Sequence, residues 1–269
     1  VCYRKLPGNI PDVRTVGNLL KELDYLDICK INLVMDRGFY SESNINEMFR
    51  QHHKFLIGAR LSLKLVRQEL DKVRDELGTR KHYSSKHSIY YDSFSSDWDY
   101  TETKKQSGET ISGKRRIYIH LYYNASRAAE DRIGLNVLLD TLEHELLSGK
   151  RSPEHEKQYE KFYTIQETPA RGVSIEPKQE AIDRAEQNYG YFALISNGIK
   201  DPLEALELYR AKDLIEKAFG SLKERLNMRR QFVSSEDSLD GKLFVQFLAL
   251  IYLTRIQKTM LDQNLYKTH

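Results

Sequence analysis

Three short apolar runs separated by two amphipathic segments open this sequence, and that order restricts it to a sheet layered with helices. Val1 to Lys5 has strand-like content and runs into the turn residues Leu6-Pro7-Gly8-Asn9. Asp12 caps a predicted helix to about Leu26, in which Val13, Val16, Leu19, Leu20 and Leu23 recur at helical spacing. Lys30 to Met35 reads as a second strand, ending on Asp36-Arg37-Gly38. Ser41 or Ser43 caps the next helix, to about His52, and Lys54 to Ala59 is the third strand.

Composition narrows the class without fixing the function. A chain of 269 residues has room for one large or two modest domains with a real core. Charged residues make up 30%, yet the net charge is only +3 and the sequence pI near 8.6, which permits nucleic-acid binding without requiring it. Only two cysteines occur, Cys2 and Cys29, with no metal-ligand spacing. Disulfide scaffolds and structural zinc are disfavoured, and a cytoplasmic location is the default. The longest apolar candidate, Leu243 to Leu253, is broken by Gln246 and too short for a bilayer, so no membrane role is expected. The start lacks an initiator methionine and a signal peptide's apolar core, which fits a fragment.

Further along, a charged helix spans Leu61 to Leu77, its basic and acidic residues interleaved on a face that is either solvated or turned to DNA. From Tyr83 to about Ala185 the texture becomes β-rich, with Arg115 to Tyr123 the best strand of the chain and a helix from Ala125 to about Leu147. This region reads as an inserted subdomain. Its lone Trp98 either packs under a hairpin or stacks on an unpaired base. Tyr189 to Asn197 is a further strand, and Asp201-Pro202 starts a helix. The last helix, Asp240 to about Leu261, is apolar at Leu243, Phe244, Phe247, Leu248, Ile251 and Tyr252, which predicts packing under the sheet.

Two carboxylates stand out. Asp36 lies at the carboxyl end of a strand, the edge of an α/β sheet where ligands and catalytic groups gather, although a plain turn-forming Asp fits the same position. Glu216 lies in the stretch Leu208 to Leu226, where Tyr209, Lys212, Glu216 and Lys223 fall within about 60° on a helical wheel. An acid flanked by two cations and a phenol suits a metal ligand whose neighbours grip phosphates. An amphipathic helix with ordinary Lys/Glu pairing has the same pattern. Arg225, Arg229 and Arg230 add a basic cluster suited to phosphate.

These residues carry a family resemblance. Tyr209, Lys212, Glu216 and Lys223 stand at the spacing of the Y-x2-R-x3-E-x6-K signature, and the chain resembles the DDE transposases of bacterial insertion sequences, in the subgroup with a β-strand insertion before its glutamate. YRKLPGNIPD, VMDRGFYSESN around Asp36, YGYFALISN and GKLFVQFLALI extend the resemblance over essentially the whole chain.

The resemblance implies an α/β, ribonuclease-H-like core with an inserted β-rich subdomain: residues 1–82 and 186–269 as core, 83–185 as insertion. It implies metal-assisted phosphoryl transfer on double-stranded DNA, at transposon ends and target, with two Mg2+ or Mn2+ ions in an intact site. Asp36 and Glu216 become catalytic metal ligands. Tyr209, Lys212 and Lys223 become DNA contacts, joined by Arg37, Arg229 and Arg230. Lys212 departs from the usual arginine and lacks its bidentate fork. The family's first aspartate sits upstream of the PGN turn, so the expectation is a core lacking its first strands and a chain inactive alone, with a non-catalytic DNA-binding remnant as the alternative. A homodimer in the synaptic complex and a bacterial cytoplasmic location follow from the same resemblance.

Overall fold

The structure, a computed structural model, describes residues 12–25, 31–103, 108–168, 172–212, 235–263 and 265. The expected strand at Val1 to Lys5 and the PGN turn lie outside them. Strands β1 (Asn32–Met35), β2 (Lys54–Ala59), β3 (Tyr83–Ser84), β4 (Ile89–Thr103), β5 (Thr110–Tyr123) and β8 (Tyr191–Ser196) belong to one sheet, in the order β1-β2-β8-β5-β4-β3. Strands β6 (Tyr163–Thr168) and β7 (Gly172–Pro177) pair separately and antiparallel. The chain divides into two compact units, one of residues 1–57, 100–113 and 196–269, the other of 58–99 and 114–195.

In the first unit β1 runs parallel to β2, with Asn32 opposite Lys54 and Met35 opposite Ile57. Parallel neighbours need a crossover, and helix α2 (Glu42–Arg50) supplies it. Ser41 caps α2 by accepting the Asn44 N–H at 3.1 Å, and Ile45 and Met48 are fully buried one turn apart. Strand β2 buries Phe55, Leu56 and Ile57 in succession, the pattern of a strand covered on both faces. Helix α1 (Asp12–Tyr25) buries Val16, Leu20 and Leu23, so the period read from its sequence selects its inward face.

The second unit contains α3 (Lys64–Leu77), α4 (Ala125–Ser148), α5 (Glu156–Phe162) and α6 (Gln179–Glu186). Its core joins Leu135, Leu142 and Leu146 of α4 to Tyr159, Phe162 and Tyr163. A row of tyrosines crosses its strands: Tyr83, Tyr90, Tyr123 and Tyr191 have successive ring centroids 4.8, 5.8 and 4.7 Å apart. Arg80 lies over the first ring and Arg74 over the last. Gly190, at φ 75°, admits no side chain, since a Cβ there would lie 2.5 Å from the Asn124 carbonyl oxygen and 2.7 Å from the Ala128 Cβ.

Two elements differ from expectation. Strand β4, 15 residues long, lies in the region read as β-rich, but in a stretch of Ser, Tyr and Asp to which the sequence assigned no strand bounds. Its Ile89, Trp98 and Tyr100 are buried, Ser95, Asp97 and Asp99 are exposed and the remaining residues between Ile89 and Trp98 are half-buried, so composition conceals it. Helix α8 (Glu236–Asp262) forms, but Phe244, Leu248, Ile251 and Tyr252 do not pack under the sheet; they are 51%, 40%, 39% and 70% exposed. The less exposed stripe is Leu243, Gln246, Phe247 and Leu250. The helix carries apolar residues nearly all round, so periodicity did not single out one face.

Candidate functional site

Asp36 follows the last residue of β1 and caps a single turn of 3-10 helix, Arg37–Phe39. The turn is fastened from two sides. Asn44 of α2, 8% exposed, donates from its side-chain amide to the Phe39 carbonyl at 2.9 Å and the Val13 carbonyl at 2.8 Å, so α1, the turn and α2 share one anchor. Each of these part-buried carbonyls thereby finds a donor.

A second anchor sets helix α7, helical over the described residues 202–212. Beyond the end of β8, the Asn197 side chain accepts the Phe55 N–H and donates to the His53 carbonyl, both at 2.9 Å. The buried Ser196 hydroxyl accepts the N–H groups of Gly198 and Ile199. Asp201 then caps the helix, accepting the Leu203 and Glu204 N–H groups at 2.7 and 3.0 Å, and Pro202 needs no donor at the first helical position. With Ala205 and Leu206 buried, Tyr209 is carried to Asp36.

The arrangement around Asp36 is compact. Its Oδ1 accepts the Arg37 backbone N–H at 2.8 Å and the Tyr209 hydroxyl at 2.9 Å. Its Oδ2 faces the Lys212 ammonium at 3.9 Å, and that ammonium lies 5.2 Å from the centre of the Tyr209 ring. Partial burial pushes the Asp36 carboxyl up in pKa. The Arg37 N–H, the Tyr209 hydroxyl and the charges of Lys212 and Arg37 act the other way, and together they hold it below the ordinary carboxylate value. Asp36 is therefore an anion at neutral pH.

Of the residues singled out from sequence, the structure brings together Asp36, Arg37, Tyr209 and Lys212. Arg37 is exposed beside the acid. Trp98 lies in β4 at 6% exposure, so a base reaches its face only if the surrounding packing opens. Glu216, Lys223, Arg229 and Arg230 lie outside the described residues. Sequence reasoning assigned Tyr209 and Lys212 to DNA and missed their direct contact with Asp36; a pair 173 positions apart leaves no trace in local spacing. It also missed Asn44 and Asn197, which read as ordinary polar residues of a helix and a turn.

A profile of the transposase DDE domain matches residues 1–252, and the chain belongs to that family. Comparison with curated proteins gave no match. The family's chemistry uses divalent ions, and Asp36 fits one: an ionised, half-exposed, hard oxygen donor at a strand end. Among the described residues no group of three His, Cys, Asp or Glu side chains gathers into a complete metal site. No helix among them is long and apolar enough to cross a membrane.

Proposed function

We propose that this protein takes part in transposase-type cleavage and transfer of DNA strands by metal-assisted phosphoryl transfer, with Asp36 and Glu216 as the carboxylates that hold Mg2+ or Mn2+. Asp36 carries the reading: a strand-end aspartate kept ionised by a tyrosine, a lysine and a backbone N–H, in a chain matched by the transposase DDE domain along nearly its whole length. The reading includes the subgroup of the Y-x2-R-x3-E-x6-K signature and a ribonuclease-H-like core interrupted by a β-rich insertion.

Phosphoryl transfer asks little covalent chemistry of a protein; positioning and charge do most of the work. Divalent ions held by Asp36 and Glu216 would supply Lewis-acid activation of the attacking oxygen and charge neutralisation of the leaving one. The chain's own residues supply the setting. Asp36 offers an oriented anion, Tyr209 and the Arg37 N–H fix that orientation, and Lys212, Lys223, Arg37, Arg229 and Arg230 provide positive charge for the phosphates of double-stranded DNA.

Thermal unfolding in a Mn2+ titration tests this. The wild type should gain several degrees in Tm, and Asp36→Asn and Glu216→Gln should each remove most of the gain. Equal gains in wild type and both variants would sink the proposal. With supercoiled plasmid as substrate, any Mn2+-dependent nicking should disappear in both variants.

A further inference from the structure

The two oxygens of Asp36 are engaged by different kinds of group. Oδ1 receives two directional hydrogen bonds, from Arg37 N–H at 2.8 Å and Tyr209 O–H at 2.9 Å. The Lys212 ammonium stands 3.9 Å from Oδ2, longer than a hydrogen bond, so what acts there is charge rather than geometry. Burial is unequal too: 15% of the Lys212 side chain is exposed against 51% of the Asp36 side chain. The lysine is the covered partner, and the acid presents itself to solvent.

Resting on the reading of Asp36 as a metal ligand, we infer that Lys212 is a built-in counter-ion occupying the cation side of Asp36, and that a divalent ion binds at Oδ2 by displacing the Lys212 ammonium while Tyr209 keeps the carboxylate aimed. Tyr209 is then a positioning residue and Lys212 a competitor for the same oxygen. The residue types suit these roles. A phenol on a rigid ring makes one directional bond, whereas an ammonium on a flexible four-carbon stem is a point charge that can leave without disturbing the backbone. The Tyr209 ring, 5.2 Å from Nζ, offers the cation a second surface as it leaves the carboxylate. An ammonium released from Oδ2 can turn to a phosphate, so divalent ion and DNA would favour one another's binding.

The two roles predict opposite signs, which a purely structural cluster does not. Mn2+ affinity is measured on the full chain at constant ionic strength, from the paramagnetic resonance signal of the unbound ion. Lys212→Met, which keeps the stem and removes the charge, should tighten Mn2+ binding about threefold to tenfold. Tyr209→Phe should weaken it about threefold by letting the carboxylate rotate. Lys212→Arg, which keeps the charge and can grip both oxygens, should bind no more tightly than wild type. Acylation of Lys212, followed by mass spectrometry, should accelerate when Mn2+ is added to wild type and not in Asp36→Asn.

Mn2+ affinity unchanged or weaker in Lys212→Met, with binding still dependent on Asp36, would overturn the displacement and leave the metal site standing. Unchanged affinity in Tyr209→Phe would overturn the positioning role. Wild-type Mn2+ binding in Asp36→Asn would remove the metal reading itself, and the displacement with it.

Discussion

Asp36 in the first unit and Glu145 in the second each accept a hydrogen bond from a tyrosine hydroxyl and face a basic side chain, yet they are built for different ends. Glu145, near the C-terminal end of α4, accepts from the hydroxyl of Tyr159 and from Nδ1 of His155 at 2.8 Å. Tyr159 is 1% exposed, and its oxygen also accepts the Ser152 N–H at 3.0 Å. Every partner lies within 14 positions of Glu145, so the group staples one elbow between α4 and α5. The Asp36 cluster joins residues 173 positions apart and leaves its acid half in solvent. Both bonds to Glu145 fall on Oε2 and leave its side chain 20% exposed, against 51% for Asp36, so the local staple covers its acid and the long-range cluster presents one.

Stability and ion binding should accordingly respond to different substitutions. The largest stability loss is expected from Asn44→Ala, which leaves the Phe39 and Val13 carbonyls without their donor. It should cost about 2 kcal/mol by chemical denaturation and also weaken Mn2+ binding, because the turn after Asp36 loosens. Next comes Tyr159→Phe, which deprives both Glu145 and the Ser152 N–H of a partner. A fall in Tm of about 2–4 °C with unchanged Mn2+ affinity is the expected outcome in calorimetry, and an altered affinity would break the separation.

A pH effect sharpens the same point. The bonds from Tyr159 and then His155 hold the Glu145 carboxyl below its ordinary pKa. Its contribution to stability is thus complete above the ordinary carboxylate range and disappears as pH falls through the lower, folded-state value. Tyr159→Phe removes the largest of these influences, so its acid unfolding should begin at higher pH than that of wild type. Smallest of all, Tyr209→Phe should change stability by less than about 0.5 kcal/mol, because Asp36 can turn to water instead.

Much of the first unit was legible from local pattern. The strands around Met35 and Phe55, a serine cap at Ser41 or Ser43, the Asp201 cap and the Val16/Leu20/Leu23 stripe each follow from a rule acting over a few residues, and the structure selects Ser41. Such rules place Asp36 at a strand end without any knowledge of the rest. They fail for β4, whose stability comes from neighbours rather than from its own polar composition. They also fail for α8, whose apolar residues point in too many directions for spacing to select a face.

By itself the sequence determined the alternation of strands and helices, the strand-end acid, and a helix bearing Tyr209 and Lys212 one turn apart. Which groups meet was a matter for tertiary structure alone. Short-range periodicity reflects backbone geometry, which is the same in every protein, whereas the pairing of Oδ1 with a tyrosine and Oδ2 with a lysine depends on two distant anchors, Asn44 and Asn197, acting together. Side chains drawn together from opposite ends of a chain become neighbours only when the backbone between them has found its hydrogen bonds.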